Sequence, residues 1–503
     1  NDTLWFLTKD KFVADFVLNF IGTGKKTIGA IGRKTTDYAD IAVDDTAAAD
    51  IFNEKQYRNN NIYILPGALD KNEDYWTTHR IDSLGKNEKA IYAMVDTLQK
   101  MPLFKTYSNI IQFIATGTKA FGPLEFGPYY YLFSENHLEN YRLRFDVGTT
   151  TKFNKNMYLN GYLAYGFADR AFKGKIADLW LLNRNPRMYL YGSYTHDLDN
   201  GVHYYDEIST DNIFTLAIRK PGVPQKFMMV DEKRLEFYKE WFIGFSGHVS
   251  FTNTKFTPYA PLPAKGFFTD NSTGFESLND TRIDVKLRFA YREKFLEGDY
   301  YRISLGSDYP IMEFDFAAGL KGFLKSDYNY QRIGMSISDH MNIPPIGTLY
   351  YNLFGGRIFG TLPYPLLEIH PGNEIYYYDP YAFNMMNRYE FLSDQFAGFN
   401  IEHKIGGGIF NYIPWVRKLK WRQFWTAKGI IGKLSDANQA LNLGNGYPFQ
   451  TLQDKPYLEL GTGVENILHF LRVDFIWRVA PNGSPGESIV RRFGVFGSFQ
   501  LQF

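Results

Sequence analysis

Rows of charge on otherwise greasy segments are where the residue types and spacing of this chain could do chemistry. Arg142, Arg144 and Asp146 alternate with Tyr141, Leu143, Phe145 and Val147. Arg282, Asp284, Lys286 and Arg288 alternate with Ile283, Val285, Leu287 and Phe289, and Arg472, Asp474 and Arg478 with Leu471, Val473, Phe475 and Trp477. A period of two puts the charges on one face of a strand and the apolar side chains on the other. Such a charged face has two uses: an anion-preferring channel lining, or a salt-bridged network that keeps a lumen shut. Both signs occur in every row, which favours the closed network.

Other candidate chemistry is thin. His340, His370, His403 and His469 have no partner at metal-ligand spacing. Glu368 lies two residues before His370, and the pair reads as loop residues, not as an acid–base dyad. Gly406, Gly407 and Gly408 end a strand with no helix after them, so they make a tight turn and no phosphate cradle. There is no Gly-x-Ser-x-Gly elbow. Absence of Cys excludes disulfides, thiolate metal sites and thiol nucleophiles. The expectation is therefore no catalytic residue, no metal and no cofactor: the chain is not read as an enzyme.

The elements that must position these charges are strands. The last fourteen residues place Phe493, Val495, Phe499, Leu501 and Phe503 on one side and Arg492, Gly494, Ser498, Gln500 and Gln502 on the other. Phe499, Leu501 and the terminal Phe503 have the pattern of the closing strand of an outer-membrane barrel. Aromatics are 18% of the residues, more than a soluble core needs and in keeping with the ring-rich outer surface of a membrane barrel. Lys plus Arg is 55 against 54 for Asp plus Glu, so no net charge points to nucleic acid. Mean hydropathy is negative, and no window reaches the roughly 20 apolar residues of a spanning helix.

Residues 1–106 read as a periplasmic segment with one helix, in which Ile91, Met94, Val95, Leu98 and Met101 recur at helical spacing. Residues 107–503 read as an all-β transmembrane antiparallel barrel of about 16 strands, with about 14 or 18 as alternatives. Its strands are expected at 107–121, 141–147, 156–167, 187–198, 226–238, 241–253, 282–292, 300–305, 310–320, 327–339, 346–360, 395–405, 419–432, 457–465, 471–479 and 490–503. This list puts two long connections, after Leu198 and Asn253, on the side that should carry short turns, so one hairpin is misplaced. Residues 361–387, with Pro363, Pro365, Pro371, Pro380 and the run Tyr376, Tyr377 and Tyr378, are too Pro-rich for a strand and form a loop that folds into the lumen or caps it.

Tyr75, Trp76, 80–88, Tyr92, Asp96, 140–148, 161–166 with Asp169, 172–174, 356–365, 387–394 with His403, 420–422, 459–466 and 472–478 together resemble a Bacteroidota family of outer-membrane barrels of unknown function. Its members usually carry an N-terminal carboxypeptidase-regulatory-like domain, which is not evident here. More distantly the C-terminal half resembles the surface-antigen barrel superfamily that contains the outer-membrane assembly insertases. That likeness implies a lumenal loop with an Arg-Gly-aromatic tip, for which Arg357 and Phe359 are the candidates; here Ile358 follows the Arg, so insertase activity is not carried over. The resemblances and the missing active site imply a non-catalytic outer-membrane barrel, a scaffold or accessory subunit of an envelope assembly in export or outer-membrane protein biogenesis. Its partners would be outer-membrane lipid and other envelope proteins. The alternative is a pore or solute transporter across the outer membrane; a barrel enzyme is a weaker third.

Overall fold

The computed structural model describes residues 6–18, 28–38, 41, 73–79, 85–199, 219–220, 222–241, 244–264, 276–443, 449–481 and 492–499. Leu501 and Phe503 lie outside these residues. The chain forms two compact units, Asn1–Ala115 and Thr116–Phe503.

In the first unit, Lys9–Leu18 and Ile28–Asp37 pair as an antiparallel ribbon. Among the described residues three helices follow, Glu73–His79, Lys86–Lys100 and Pro102–Thr116, against the one expected from sequence. Ile91, Met94, Val95 and Leu98 of the stripe lie on the second and Met101 directly after it, and these side chains are exposed. The third helix replaces most of the strand expected over 107–121. Leu103, Tyr107, Ile110 and Ile114 recur every three to four residues and Pro102 opens the first turn, which is the pattern of a helix.

The second unit is built on one large antiparallel sheet. Its eighteen strand segments run in the order of a barrel, with the last, Phe493–Phe499, next to the short Lys119–Phe121. Antiparallel pairing links each neighbour from Asn140–Thr149 round to Phe493–Phe499, with register shifts at Leu181/Asn183, Lys404/Gly406, Leu458/Glu459 and Val464/Ile467. Leu124–Phe126 and Phe133–Asn136 pair with opposite ends of Asn140–Thr149 and act as one interrupted strand. Along the strands one face is exposed and apolar, with Ile176 at 65%, Met335 at 63% and Trp425 at 57%, and the alternate face is buried and largely polar. The strand Phe493–Phe499 alternates strictly between the two.

Two corrections to the strand list account for the misplaced hairpin. Phe172–Arg184 is a full strand that was not expected, and 300–305 is not a wall strand. Arg302–Ser304 instead pairs with Phe295–Glu297 in a small ribbon outside the sheet. One omission and one addition leave the total unchanged but invert every strand between them. With both corrected, the strands that end at Asp199, Pro258, Phe359, Lys433 and Ala480 all end at a single rim. Most links at the opposite rim are short. In one of them Gly347 has φ +100°, and a Cβ there would lie 1.9 Å from the Lys404 carbonyl oxygen.

The apolar core sits against the inward face of this sheet. Leu362, Tyr364, Leu367, Ile369, Tyr389 and Leu392 of the 360–394 connection, with Leu434 and Phe449 of the next, pack on Met228, Phe256, Leu278, Tyr330 and Ile358 of the wall. A second cluster joins Phe383, Met386, Phe391 and Leu452 to Phe354, Phe396, Ile430 and Tyr457.

Candidate functional site

The residues that converge in this molecule are those that hold the 360–394 connection against the wall. Its base is pinched where Glu368–Ile369 pairs antiparallel with Leu392–Ser393. A short helix, Asp436–Asn442, clasps it from the neighbouring connection. Asn438 donates from its Nδ2 to the Gly360 carbonyl (3.0 Å) and the Asp394 carboxylate (2.8 Å), and accepts at Oδ1 from the Leu362 N–H (2.8 Å). Each bond satisfies a group that the apolar packing removes from water.

Deeper in, three wall or near-wall charges peg the loop by its backbone. Glu459 accepts from the N–H groups of Asn384 (3.0 Å) and Met385 (2.5 Å) and from the Tyr457 hydroxyl (2.5 Å). The Lys428 ammonium donates to the carbonyls of Asp379 (3.0 Å), Pro380 (2.8 Å) and Ala382 (2.6 Å). Lys220 donates to those of Asn373 and Asn384, both at 2.6 Å. Ion pairs complete the attachment: Arg478 to Glu390 (2.7 Å), Arg332 to Glu368 (2.7 Å) and Arg219 to Glu374 (2.9 Å). Beyond these pegs Tyr376 and Tyr378 bond the backbone of Gly497, so the loop also lines part of the closing strand.

Arg142, Arg144, Asp146, Arg282, Asp284, Lys286, Arg288, Arg472, Asp474 and Arg478 all lie on the face opposite the exposed apolar side chains. The cations among them are paired. Arg142 grips Asp197 with two bonds of 2.7 and 2.6 Å, and Arg144 bonds Asp146 (2.6 Å). Arg282 reaches Asp280 (3.3 Å) and Asp284 (3.1 Å), Lys286 meets Glu313 (2.9 Å), and Arg288 meets Glu293 (2.5 Å) and Glu313 (3.0 Å). Arg472, 1% exposed, bonds Asp474 (2.7 Å) and Glu402 (2.9 Å) and lies over the rings of Phe424 and Tyr378. Buried charges persist when each has a partner, and these do.

Arg357 and Phe359 are not at a lumenal loop tip. They belong to the strand Thr348–Phe359, on the face opposite buried Phe354 and Ile358, with the guanidinium over the Phe359 ring at 4.7 Å. Without a Gly after the Arg, alternation simply carries the strand through this position. The 360–394 connection, which packs on the buried face of the sheet, begins just after it.

His370 and Glu368 do not form a dyad. Glu368 is taken by Arg332, while His370 Nε2 lies 2.8 Å from Ser393 Oγ in a buried pocket. Burial lowers the His370 pKa to about 3, so the ring is neutral at physiological pH. Among the described residues no cluster of three or more His, Cys, Asp or Glu could hold a metal.

Lys428 and Glu459 carry the same period-two signal as the other wall charges and were legible in principle. Lys220, Asn384 and Asn438 sit in connections with no period, and nothing in their neighbourhood marks them.

Residues 246–437, from the second residue of the strand Phe245–Pro258 to the short helix Asp436–Asn442, match the C-terminal domain model of a family of unknown function (DUF5686). No curated protein matches the chain. Among solved structures it is similar to BamA from Haemophilus ducreyi lacking POTRA domains 1–3, with a TM-score of 0.44 and 10% identity over 73% of this chain and 69% of that one. It is also similar to CdiB from Acinetobacter baumannii, with a TM-score of 0.37 and 10% identity over 71% of this chain and 55% of the other.

Proposed function

We propose that residues 116–503 form a closed barrel in a bacterial outer membrane, with the long connections outside the cell and the N-terminal unit in the periplasm, and that the barrel is a non-catalytic scaffold or accessory subunit of an envelope assembly in export or outer-membrane protein biogenesis. The observation that carries the reading is the stopper: the 360–394 connection is packed and pegged against the inward face of the sheet, and Arg142, Arg144, Arg282, Lys286, Arg288, Arg472 and Arg478 have carboxylate partners. A lumen filled in this way suits a protein that acts through its surfaces more than one that passes solutes. The exposed apolar face supports membrane insertion, because antiparallel strands of this length need hydrocarbon or a second layer to cover them.

Purification of the tagged native protein in mild detergent tests this. Co-purification of defined envelope proteins at fixed stoichiometry is expected; a lone monomer would overturn the scaffold reading. Planar bilayers separate it from the pore reading: the wild type is expected to be silent, and a steady conductance that changes on reversing Arg282 or Arg472 would favour the pore.

A further inference from the structure

One row of the exposed face carries two cations without an ion pair. The strands Thr348–Phe359, Gln395–Gly406 and Arg422–Lys433 are consecutive neighbours, and their registers set Arg357 beside Gln395 and Gln395 beside Lys433. All three alternate with the buried Phe354, Phe396 and Ile430, so they point outward at the rim from which the long connections leave. Two strand spacings separate the cations, about 10 Å. Immediately below on the same face are Gly355, Ala397 and Ile431, then Leu353 and Phe399. Arg357 is exposed and steadied over the Phe359 ring. Among the described residues no ion pair involves Arg357 or Lys433, in contrast to Arg282, Arg288 and Arg472 on the opposite face. Asp454, whose N–H bonds the Gly432 carbonyl, makes no ion pair with Lys433.

We propose that Arg357, Gln395 and Lys433 bind the phosphates of a phosphorylated glycolipid in the outer leaflet. The guanidinium offers two parallel N–H donors to one phosphate, the Gln395 amide a neutral donor, and Lys433 a point charge for a second phosphate. The apolar side chains beneath take the acyl chains. This inference rests on the outer-membrane barrel reading, and a lipid is favoured over a free anion because the row caps an apolar surface.

Binding is measured on the full chain in detergent micelles, using a bis-phosphorylated acylated disaccharide, the same lipid without phosphates, and inorganic pyrophosphate. The phosphorylated lipid is expected to bind at least about tenfold more tightly than its dephosphorylated form. R357Q/K433Q should lose that preference, and K239Q, an outward lysine at the opposite rim, should keep it. Equal binding by the double variant, or pyrophosphate competing as well as the lipid, would overturn the site. A β-rich, heat-modifiable barrel without the preference removes the site alone; a chain monodisperse without amphiphile removes the barrel reading itself.

Discussion

Glu459 is the side chain on which the seating of the stopper depends most, since it satisfies two loop N–H groups and lies among buried cations. Glu459→Ala strands those donors, at a cost on the order of 3 kcal/mol. The expected readout is faster hydrogen exchange over residues 379–386 with the wall strands still protected; unchanged exchange would show that apolar packing alone holds the loop. His370 supplies a pH dependence. Its folded pKa is lowered to about 3, so its contribution is complete above the unfolded value near 6.5 and declines as pH falls from there toward 3. Exchange across 370–393 should rise over that window and should not in His370→Gln. Wall charges such as Arg472 and Arg478 were legible because period two exposes them, whereas Glu390, the loop partner of Arg478, was not. Arg357 shows the limit of reading by motif: a three-residue likeness suggested a loop tip, and strand alternation put the side chain on the outer face.

At the scale of elements, the strands with one clean apolar face were readable from sequence almost end to end. Phe172–Arg184 escaped because its inward face carries Ala177, Leu179 and Leu181 beside outward Ile176, Trp180 and Leu182, and both faces being apolar erases the period. Tyr300–Leu305 misled for the opposite reason. Its rings are apolar but serve the ribbon, with Tyr300 packed near Leu179 and Leu181 and Arg302 paired to Glu240 at 2.6 Å. The outward face makes its own prediction. Leu353→Arg should destabilise the barrel in vesicles by roughly 2–4 kcal/mol, and Ile431→Arg, nearer the rim, and Leu353→Ala by less. Urea unfolding followed by tryptophan fluorescence would measure this, and tolerance of both arginines would mean that the face is wet.

For the whole molecule, the stopper makes a testable division between wall and plug. Replacing residues 370–391 with a short Gly-Ser link across the Glu368–Ile369 and Leu392–Ser393 base should leave a folded barrel and turn a silent protein into a steady conductor. Continued silence would place the block elsewhere, for instance at the 291–310 ribbon. The central claim is that the exposed apolar face is solvated by hydrocarbon. Because the chain has no Cys, single spin labels can be placed at will, outward at Ile176, Met335, Leu353 and Ile431 and inward at Ser338 and Asn400. Accessibility of these labels to oxygen and to a water-soluble nickel complex, in protein reconstituted in vesicles, is the most direct measurement. Outward labels should favour oxygen with a mid-bilayer depth profile and inward labels should not; outward labels reached freely by the nickel complex would contradict the account.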